Sequence, residues 1–302
     1  MTHGTIQPSG MFSLHGRTVV VTGGGRGIGR GISLALARAG ANVVLTGRTE
    51  EALQRTAADI EALGRRARPI VADVTKRADL DRIVQLTLAE FGYVDGWINN
   101  AGSASPDDVG PLLDMDEGKW DRVVNLNLKW TFFAMQAAAR VMTRGGSIVN
   151  ISSRSGSQPC PMTGQYGASK AGIENLTATA AVEWGHRGIR VNAIAPGVVV
   201  TDGSSSMTSD SRRRRQVETV PLQRLGTIDD VGPLAVYFVA DESSWVSGTV
   251  VQVTGGSRIP VGLLAYLRRM NANNGQQADG NAGPSQPSLQ TPGQTPAQEA
   301  LT

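Results

Sequence analysis

The chain has 302 residues, of which 40% are hydrophobic and 5% aromatic, and it contains 37 glycines. This length allows one large domain or two small ones, and the composition suits an α/β protein with many tight turns. The single cysteine, Cys160, excludes an internal disulfide and a cysteine-rich zinc site, and it favours a reducing, cytoplasmic location. No apolar run reaches membrane length, and residues 1–15 lack the pattern of a secretory signal.

The formal net charge of +3 is a local feature, because Arg212 to Arg215 form a run of four cations. Without them the chain would carry a slight negative charge. A general nucleic-acid-binding surface is therefore not expected. The run is interpreted as a solvated loop or helix face, with an acidic partner or a membrane surface as the alternative.

A strand, a glycine turn and a helix open the folded part of the chain. Residues 17–21 predict the strand, and apolar positions from Ile32 onward predict the helix. Between them lies Thr22-Gly23-Gly24-Gly25-Arg26-Gly27-Ile28-Gly29. Such glycines let the backbone approach a pyrophosphate, whose charge the helix N-terminus attracts. In this context the motif predicts a dinucleotide site, with a turn that binds no ligand as the alternative.

The second predicted strand, residues 41–46, bears on the choice of cofactor. In a dinucleotide fold its tip meets the adenosine ribose, where an acidic residue binds a free 2′-hydroxyl. Here the tip is Gly47-Arg48, without an acid. Arg48, together with Arg26 in the glycine turn, can pair with a 2′-phosphate. NADP(H) is therefore favoured over NAD(H), and two surface arginines without a ligand are the alternative.

The remaining elements alternate regularly. Helices are predicted at 50–63, 79–91 and 117–142, around Tyr166 as far as about residue 187, and at 228–240. Strands are predicted at 69–72, 94–98, 145–151, 189–195 and 249–253. This alternation predicts an α/β fold, a doubly wound parallel seven-stranded sheet of Rossmann type with helices on both faces. Ligands of such sheets lie at the C-terminal ends of the strands.

The expected organisation is a single domain with extensions at both ends. A flexible leader covers residues 1–11, and the oxidoreductase domain covers 12–256, with a mobile substrate loop at 198–226. Residues 257–270 keep apolar side chains and are interpreted as a docking segment for the domain or a neighbouring subunit. Residues 271–302 are rich in Asn, Gln, Gly, Pro and Ser, so they cannot bury enough surface to offset ordering entropy. A disordered tail is expected there.

Tyr166 and Lys170 are the most informative pair for chemistry. Four residues apart on a predicted helix, they share one face. A cation beside a phenol favours the phenolate and lowers its pKa from about 10, which would make an acid/base unit. The alternative is a half-buried tyrosine next to a solvated lysine, and the neighbouring motifs decide between the two.

Five motifs decide it, namely Thr22-Gly23-x-x-x-Gly27-x-Gly29, Asn99-Asn100-Ala101-Gly102, Ser153, Tyr166-x-x-x-Lys170 and Pro196-Gly197-x-x-x-Thr201. In order and spacing they resemble the short-chain dehydrogenase/reductase family over about residues 12–256. The resemblance implies an NAD(P)-dependent enzyme that interconverts a small-molecule ketone and a secondary alcohol by hydride transfer. It also implies a homotetramer, with a dimer as the alternative.

The resemblance further implies four catalytic roles. Tyr166 would donate or accept the proton, and Lys170 would lower the phenol pKa and hold the nicotinamide ribose. Ser153, rather than its neighbour Ser152, would hydrogen-bond the substrate oxygen. Asn127 would hold a water that links Lys170 to solvent, unless it only bonds the helix backbone.

The resemblance also implies cofactor contacts, with Thr201 at the nicotinamide carboxamide and Asp73 at the adenine; no metal is expected. The expected cofactor positions are Thr22, Gly23, Gly25, Arg26, Gly27, Ile28, Gly29, Arg48, Asp73, Val74, Asn100, Ala101, Gly102, Tyr166, Lys170, Pro196, Gly197, Val199 and Thr201.

Some residues depart from the family pattern, which leaves the substrate open. Trp130 and Trp97 stand at positions that could narrow a pocket or alter subunit packing, although core filling is the simpler interpretation. Thr254 replaces the acid usual before the final Gly-Gly pair. The opening Met11 to Leu14 and Arg48 resemble the 3-oxoacyl reductase and sugar-acid dehydrogenase branches. The alternatives are a catalytically silent dinucleotide-binding scaffold or sensor, and an NAD-preferring sugar or alcohol dehydrogenase.

Overall fold

The structure is a computed structural model that describes residues 10–201 and 210–258. Its strands are β1 (Thr18–Thr22), β2 (Asn42–Gly47), β3 (Ala67–Val71), β4 (Gly96–Asn99), β5 (Gly146–Ile151), β6 (Ile189–Pro196) and β7 (Val250–Val253). They form one sheet in the order β3-β2-β1-β4-β5-β6-β7, and every pair is parallel. The predicted seven-stranded, doubly wound sheet is confirmed.

Eight α-helices accompany the strands in the described part of the chain. They are α1 (Gly27–Arg38), α2 (Glu50–Ala62), α3 (Arg77–Phe91), α4 (Glu117–Val124), α5 (Trp130–Val141), α6 (Gly164–Trp184), α7 (Asp210–Val217) and α8 (Ile228–Val239). Together with the sheet they make the three-layer arrangement that βα alternation predicts.

The structure refines two predictions about helices. The long helix expected over 117–142 is present as α4 and α5, which a π-helical turn, Asn125–Lys129, joins without a break. Such turns widen the backbone spacing locally and often mark functional sites. The loop expected over 198–226 contains α7, which includes the run Arg212 to Arg215. Arg213, Arg214 and Arg215 are exposed, which agrees with a solvated helix face.

The two faces of the sheet are buried under different helices. Val19 and Val21 of β1 belong to one core, with residues of α1 and α8 such as Ile32 and Phe238. Val20 points to the other core, which includes Trp97. This alternation follows from the two-residue period of a strand. Trp97 has no solvent exposure, so the core-filling interpretation of this residue is correct.

The sheet reverses its winding between β1 and β4, where Val21 pairs with Leu45 on one side and Ile98 on the other. A crevice outside the carboxyl ends of the strands is expected at such a switch point. Residues 1–9 of the predicted leader, residues 259–270 of the docking segment and the whole tail lie outside the described residues, as do residues 202–209 of the substrate loop. Across the described ranges, no helix is long and apolar enough to cross a membrane.

Candidate active site

The glycine turn after β1 has a geometry that side chains would prevent. Gly23 and Gly27 have φ values of 66° and 54°, in the left-handed region that favours glycine. A Cβ atom on Gly29 would lie 2.1 Å from the carbonyl oxygen of Gly23. Arg26, the N-cap of α1, makes no side-chain capping bond. The turn therefore brings bare backbone to a helix N-terminus, the arrangement that binds a pyrophosphate.

Thr22 and Asn100 join this turn to the end of β4. The Thr22 hydroxyl accepts from the backbone N–H groups of Asn100 (2.9 Å) and Ala101 (3.0 Å) and donates to the Ile98 carbonyl (3.2 Å). The Asn100 side-chain amide donates to the carbonyls of Thr22 and Gly23 at 2.9 and 3.2 Å. Both side chains are thus committed to fixing the shape of the turn.

The tips of β2 and β3 carry the predicted adenosine-binding residues. Arg26 and Arg48 are exposed, and within the described chain neither forms an ion pair. The Asp73 carboxylate accepts from the N–H (3.0 Å) and hydroxyl (2.7 Å) of Thr75. Burial raises the pKa of Asp73, but these hydrogen bonds and the charge of Arg48 outweigh burial and lower the pKa below its ordinary value. Arg48 is therefore close enough to Asp73 to lower the pKa of its carboxyl group.

The chain after β6 returns to the glycine turn. Thr201 lies at the turn, with its Cβ 3.5 Å from where a Cβ of Gly27 would be. Gly197 donates its N–H to the Val253 carbonyl (2.9 Å) and lies against Thr254. The end of β7 therefore lies directly beside the turn that follows β6.

The other predicted cofactor positions have mixed surroundings. The bare Cα of Gly25 faces the start of α2, and the half-buried Ile28 packs on the core of α1 and α8. Val74 packs on the opposite core, and Pro196 ends β6. The Val199 side chain is buried, so only its backbone remains for a ligand.

Tyr166 and Lys170 lie in the first turns of α6. The Lys170 ammonium is buried, donates to the Ile151 carbonyl (2.8 Å) and is 5.5 Å from the centre of the Tyr166 ring. Desolvation raises the pKa of Tyr166 to about 12, against a hydrogen bond with Ser153 that lowers it. Desolvation also lowers the pKa of Lys170 to about 8. The pKa of Tyr166 in the chain alone therefore lies above its ordinary value, opposite to the predicted lowering, because burial dominates.

The two adjacent serines after β5 have different partners. The Ser152 hydroxyl is buried and donates to the Glu174 carboxylate (2.7 Å). The Ser153 hydroxyl accepts from the Ser155 N–H (3.2 Å), and Ser153 is close enough to Tyr166 to lower the phenol pKa. Burial raises the pKa of Glu174, although the Ser152 hydrogen bond opposes this. Of the two serines, Ser153 is therefore the one next to Tyr166, and its contact with the substrate oxygen stays a prediction.

Asn127 lies in the π-helical turn and is fully buried. Its amide nitrogen donates to the carbonyls of Ser103 (2.8 Å) and Val123 (2.9 Å). No donor in the described ranges reaches its Oδ1. A Cβ atom on Gly102 would lie 2.6 Å from this oxygen and 3.4 Å from the Lys170 nitrogen. Both polar atoms therefore face the same small region beside Gly102.

Three contacts around the site could not be expected from sequence motifs. The buried Gln165 amide donates to the Asp108 carbonyl (2.6 Å), and Arg122 pairs with the Asp108 carboxylate (2.9 Å). These two contacts fasten the loop after β4 to α4 and α6. The third contact is the Ser152–Glu174 bond. In all three the partners are distant in sequence, so no local pattern points to them.

The fold and the residues at its carboxyl edge define a dinucleotide-binding oxidoreductase. Comparison with known proteins extends this conclusion. The sequence profile described as Enoyl-(Acyl carrier protein) reductase matches residues 23–258. A 2-dehydro-3-deoxy-D-gluconate 5-dehydrogenase of Escherichia coli K12 is 37% identical over 250 residues, which cover 81% of this chain and 96% of that protein.

Two further proteins have similar coverage. A 3-oxoacyl-[acyl-carrier-protein] reductase of Staphylococcus epidermidis is 35% identical, covering 80% of this chain and 98% of that protein. The crystal structure of a short-chain type dehydrogenase/reductase from Mycobacterium marinum has a TM-score of 0.77 at 32% identity, covering 83% of this chain and 98% of that chain. The chain belongs to the short-chain dehydrogenase/reductase family. It is an oxidoreductase that acts on CH–OH groups with a nicotinamide dinucleotide.

Proposed function

We propose that the protein is an NADP(H)-dependent enzyme that interconverts a ketone and a secondary alcohol, with Tyr166 as the proton donor or acceptor. The observation that carries the proposal is the placement of the buried Lys170 ammonium 5.5 Å from the centre of the Tyr166 ring, with Ser153 close enough to the phenol to lower its pKa. Two hydroxyl donors directed at one substrate oxygen can stabilise the charge that develops there.

The residues at the carboxyl edge fit a nicotinamide dinucleotide. The absence of side chains at Gly23 and Gly29 leaves a backbone cradle, and Thr201 lies against Gly27 at the same turn. A bound nicotinamide supplies or accepts the hydride, so the protein contributes orientation and proton transfer. Thr201 and the residues of the glycine turn would hold the cofactor, and Lys170 would hold its ribose.

Proton transfer is assigned to the side chains around Tyr166. In reduction, the Tyr166 hydroxyl gives its proton to the substrate oxygen while Ser153 donates a hydrogen bond to it. The high pKa of the buried phenol keeps Tyr166 protonated for this step. Lys170, when protonated, stabilises the tyrosinate that remains. In oxidation of an alcohol, Tyr166 takes the proton instead.

Proton exchange with solvent is assigned to Asn127. Its Oδ1 is buried and faces the region of Gly102 that Lys170 also faces. A buried acceptor of this kind is commonly satisfied by an ordered water. We infer that such a water passes protons between Lys170 and solvent. Asn127 lies in the π-helical turn between α4 and α5, and turns of this kind often mark functional sites, which supports this role.

The preference for NADP(H) is assigned to two exposed cations. Arg48 stands at the tip of β2 where an acid would bind a ribose 2′-hydroxyl, and Arg26 stands in the glycine turn. A guanidinium pairs well with a phosphate through two parallel hydrogen bonds. An NAD-preferring enzyme remains the competing hypothesis, and the relative rates with NADPH and NADH distinguish the two.

Assembly as a homotetramer is part of the proposal. Within the described ranges, Trp245 is 98% exposed and Val182, on α6, is 84% exposed. Contiguous exposed apolar surface marks protein–protein contacts, and we assign both side chains to such a surface. The four-subunit mass, about four times 31.7 kDa, is measurable by light scattering, and a monomer would contradict this part.

The test of the proposed function is a ketone panel with both cofactors. The panel contains acetoacetyl-coenzyme A and a keto sugar acid, which represent the substrate classes in the names of the similar proteins. It also contains cyclohexanone and 1-tetralone, which represent cyclic ketones. We expect loss of NADPH absorbance with at least one ketone, and slower loss of NADH absorbance. If the protein binds NADPH but no ketone oxidises it, and no matching alcohol reduces NADP⁺, the result would instead favour a silent scaffold or sensor.

A further inference from the structure

The bond between Ser152 and Glu174 lies directly beside the proposed catalytic serine. Glu174 is on α6, four residues after Lys170, so the two side chains lie on the same face of the helix. The Ser152 hydroxyl is 2.7 Å from the Glu174 carboxylate and 3.5 Å from the Lys170 carbonyl. The residue before Ser153 is therefore attached to the helix that carries Tyr166.

A second attachment lies just before this one. Lys170 donates to the carbonyl of Ile151, the last residue of β5. The end of β5 is thus connected to α6 by two bonds that run in opposite directions. A lysine of α6 reaches the strand, and a serine following the strand reaches α6. Two such bonds restrict sliding and rotation of the strand end relative to the helix.

The turn that follows Ser153 is held by the same carboxylate. Ser153 caps a short 3₁₀ turn, Arg154–Gly156, through the Ser155 N–H. A Cβ atom on Gly156 would lie 2.6 Å from the Glu174 Oε1 and 3.1 Å from the Lys170 carbonyl carbon. Because Gly156 has no side chain, the turn lies directly on Glu174. The Glu174 carboxylate thus contacts the chain on both sides of Ser153.

We propose that Glu174 is a positioning residue that holds the Ser153 hydroxyl in line with Tyr166, acting through Ser152 and the Gly156 turn. This inference rests on the proposed function, in which Ser153 bonds the substrate oxygen. Glu174 itself does not contact the reacting atoms. Displacement of a catalytic group by about 1 Å costs up to about a hundredfold in rate, so the effect of Glu174 appears in turnover and not in cofactor binding.

The test uses Glu174→Ala and Ser152→Ala, each made in the wild type and in Ser153→Ala. NADPH binding, thermal stability and kcat are measured with the panel ketone that the wild type reduces fastest. In the wild-type background we expect each variant to lose about tenfold or more in kcat, with unchanged NADPH affinity. In the Ser153→Ala background we expect no further loss, because the group that is being positioned has gone. Glu174→Gln retains an oxygen that accepts the Ser152 hydroxyl and should keep most of the activity.

The outcomes separate this inference from the function on which it rests. Equal losses of kcat in the two backgrounds would mean that Glu174 acts independently of Ser153, and would overturn the inference alone. Wild-type kcat in both Glu174→Ala and Ser152→Ala would do the same. Full activity in Ser153→Ala itself would overturn the role of Ser153, and the inference with it. If Glu174→Ala does not fold, the Ser152→Ala pair decides by the same comparison.

Discussion

The glycine turn and the Tyr166 region contribute to the same site but are built in different ways. In the glycine turn, residues 22–29 form the cradle with backbone atoms, and the important feature is where side chains are missing. In the Tyr166 region, residues of three separate elements converge, and their chemistry depends on burial. A local motif of consecutive residues is enough to fix the backbone geometry of the glycine turn. The pKa values of Tyr166 and Lys170 depend instead on how the surrounding fold buries them.

The strongest test of the glycine turn is a single methyl group on Gly29. Gly29→Ala would place Cβ 2.1 Å from the Gly23 carbonyl oxygen, so the turn must move. Overpacking of this kind costs about 3 kcal/mol, and because NADPH would bind the undistorted turn, this cost corresponds to about 100-fold weaker NADPH binding. The matched control is Gly185→Ala, where a Cβ meets nothing within 4 Å. Titration of NADPH fluorescence measures both, and unchanged affinity in Gly29→Ala would show that the turn does not touch the cofactor.

These two regions also differ in how well the sequence predicts them. The sheet and the glycine turn were predictable, because strands, turn and helix each have a local pattern in consecutive residues. The π-helical turn at Asn125–Lys129 was not, because it has the same composition as the helix around it. The Tyr166 pKa was predicted in the wrong direction, since the sequence shows the nearby cation but not the amount of burial. The Ser152–Glu174 contact joins residues 22 positions apart and has no local signature.

The role of burial in the Tyr166 region is testable through the pH dependence of stability. The pKa of Lys170 falls from 10.5 to about 8 on folding. Between these values the unfolded chain binds more protons, so the free energy of unfolding rises with pH. From pH 7.5 to 9.5 the wild type should gain about 2 kcal/mol relative to Lys170→Met. Urea denaturation of the cofactor-free protein measures this difference.

Comparing the wild type with Lys170→Met cancels the pH dependence that the other titrating groups give to the free energy of unfolding. Tyr166 has a folded pKa above its unfolded value, so its contribution is lost only as pH rises above about 10, and it is common to both proteins. A difference between wild type and Lys170→Met that does not change from pH 7.5 to 9.5 would mean that Lys170 is as hydrated in the fold as in the unfolded chain.

The smallest expected effect concerns the choice between NADPH and NADH, which we assign to Arg48 at the tip of β2. Arg48→Asp replaces an exposed cation with the acid that suits a free 2′-hydroxyl. Loss of one charge-assisted hydrogen bond, about 1.5 kcal/mol, should lower the NADPH-to-NADH preference by about tenfold or more. Arg140→Asp, at an exposed position of α5, is the control. An unchanged ratio of kcat/KM for the two cofactors in Arg48→Asp would remove Arg48 from the site.

The central claim is that Tyr166 transfers the proton, while most of the NADPH affinity comes from the glycine turn. The most direct measurement compares NADPH affinity and kcat in Tyr166→Phe with those of the wild type. General acid catalysis contributes about 100- to 10,000-fold, so kcat should fall by that factor. NADPH affinity should stay within a few fold, because the glycine turn is intact. Ketone reduction at the wild-type rate in Tyr166→Phe would contradict the account.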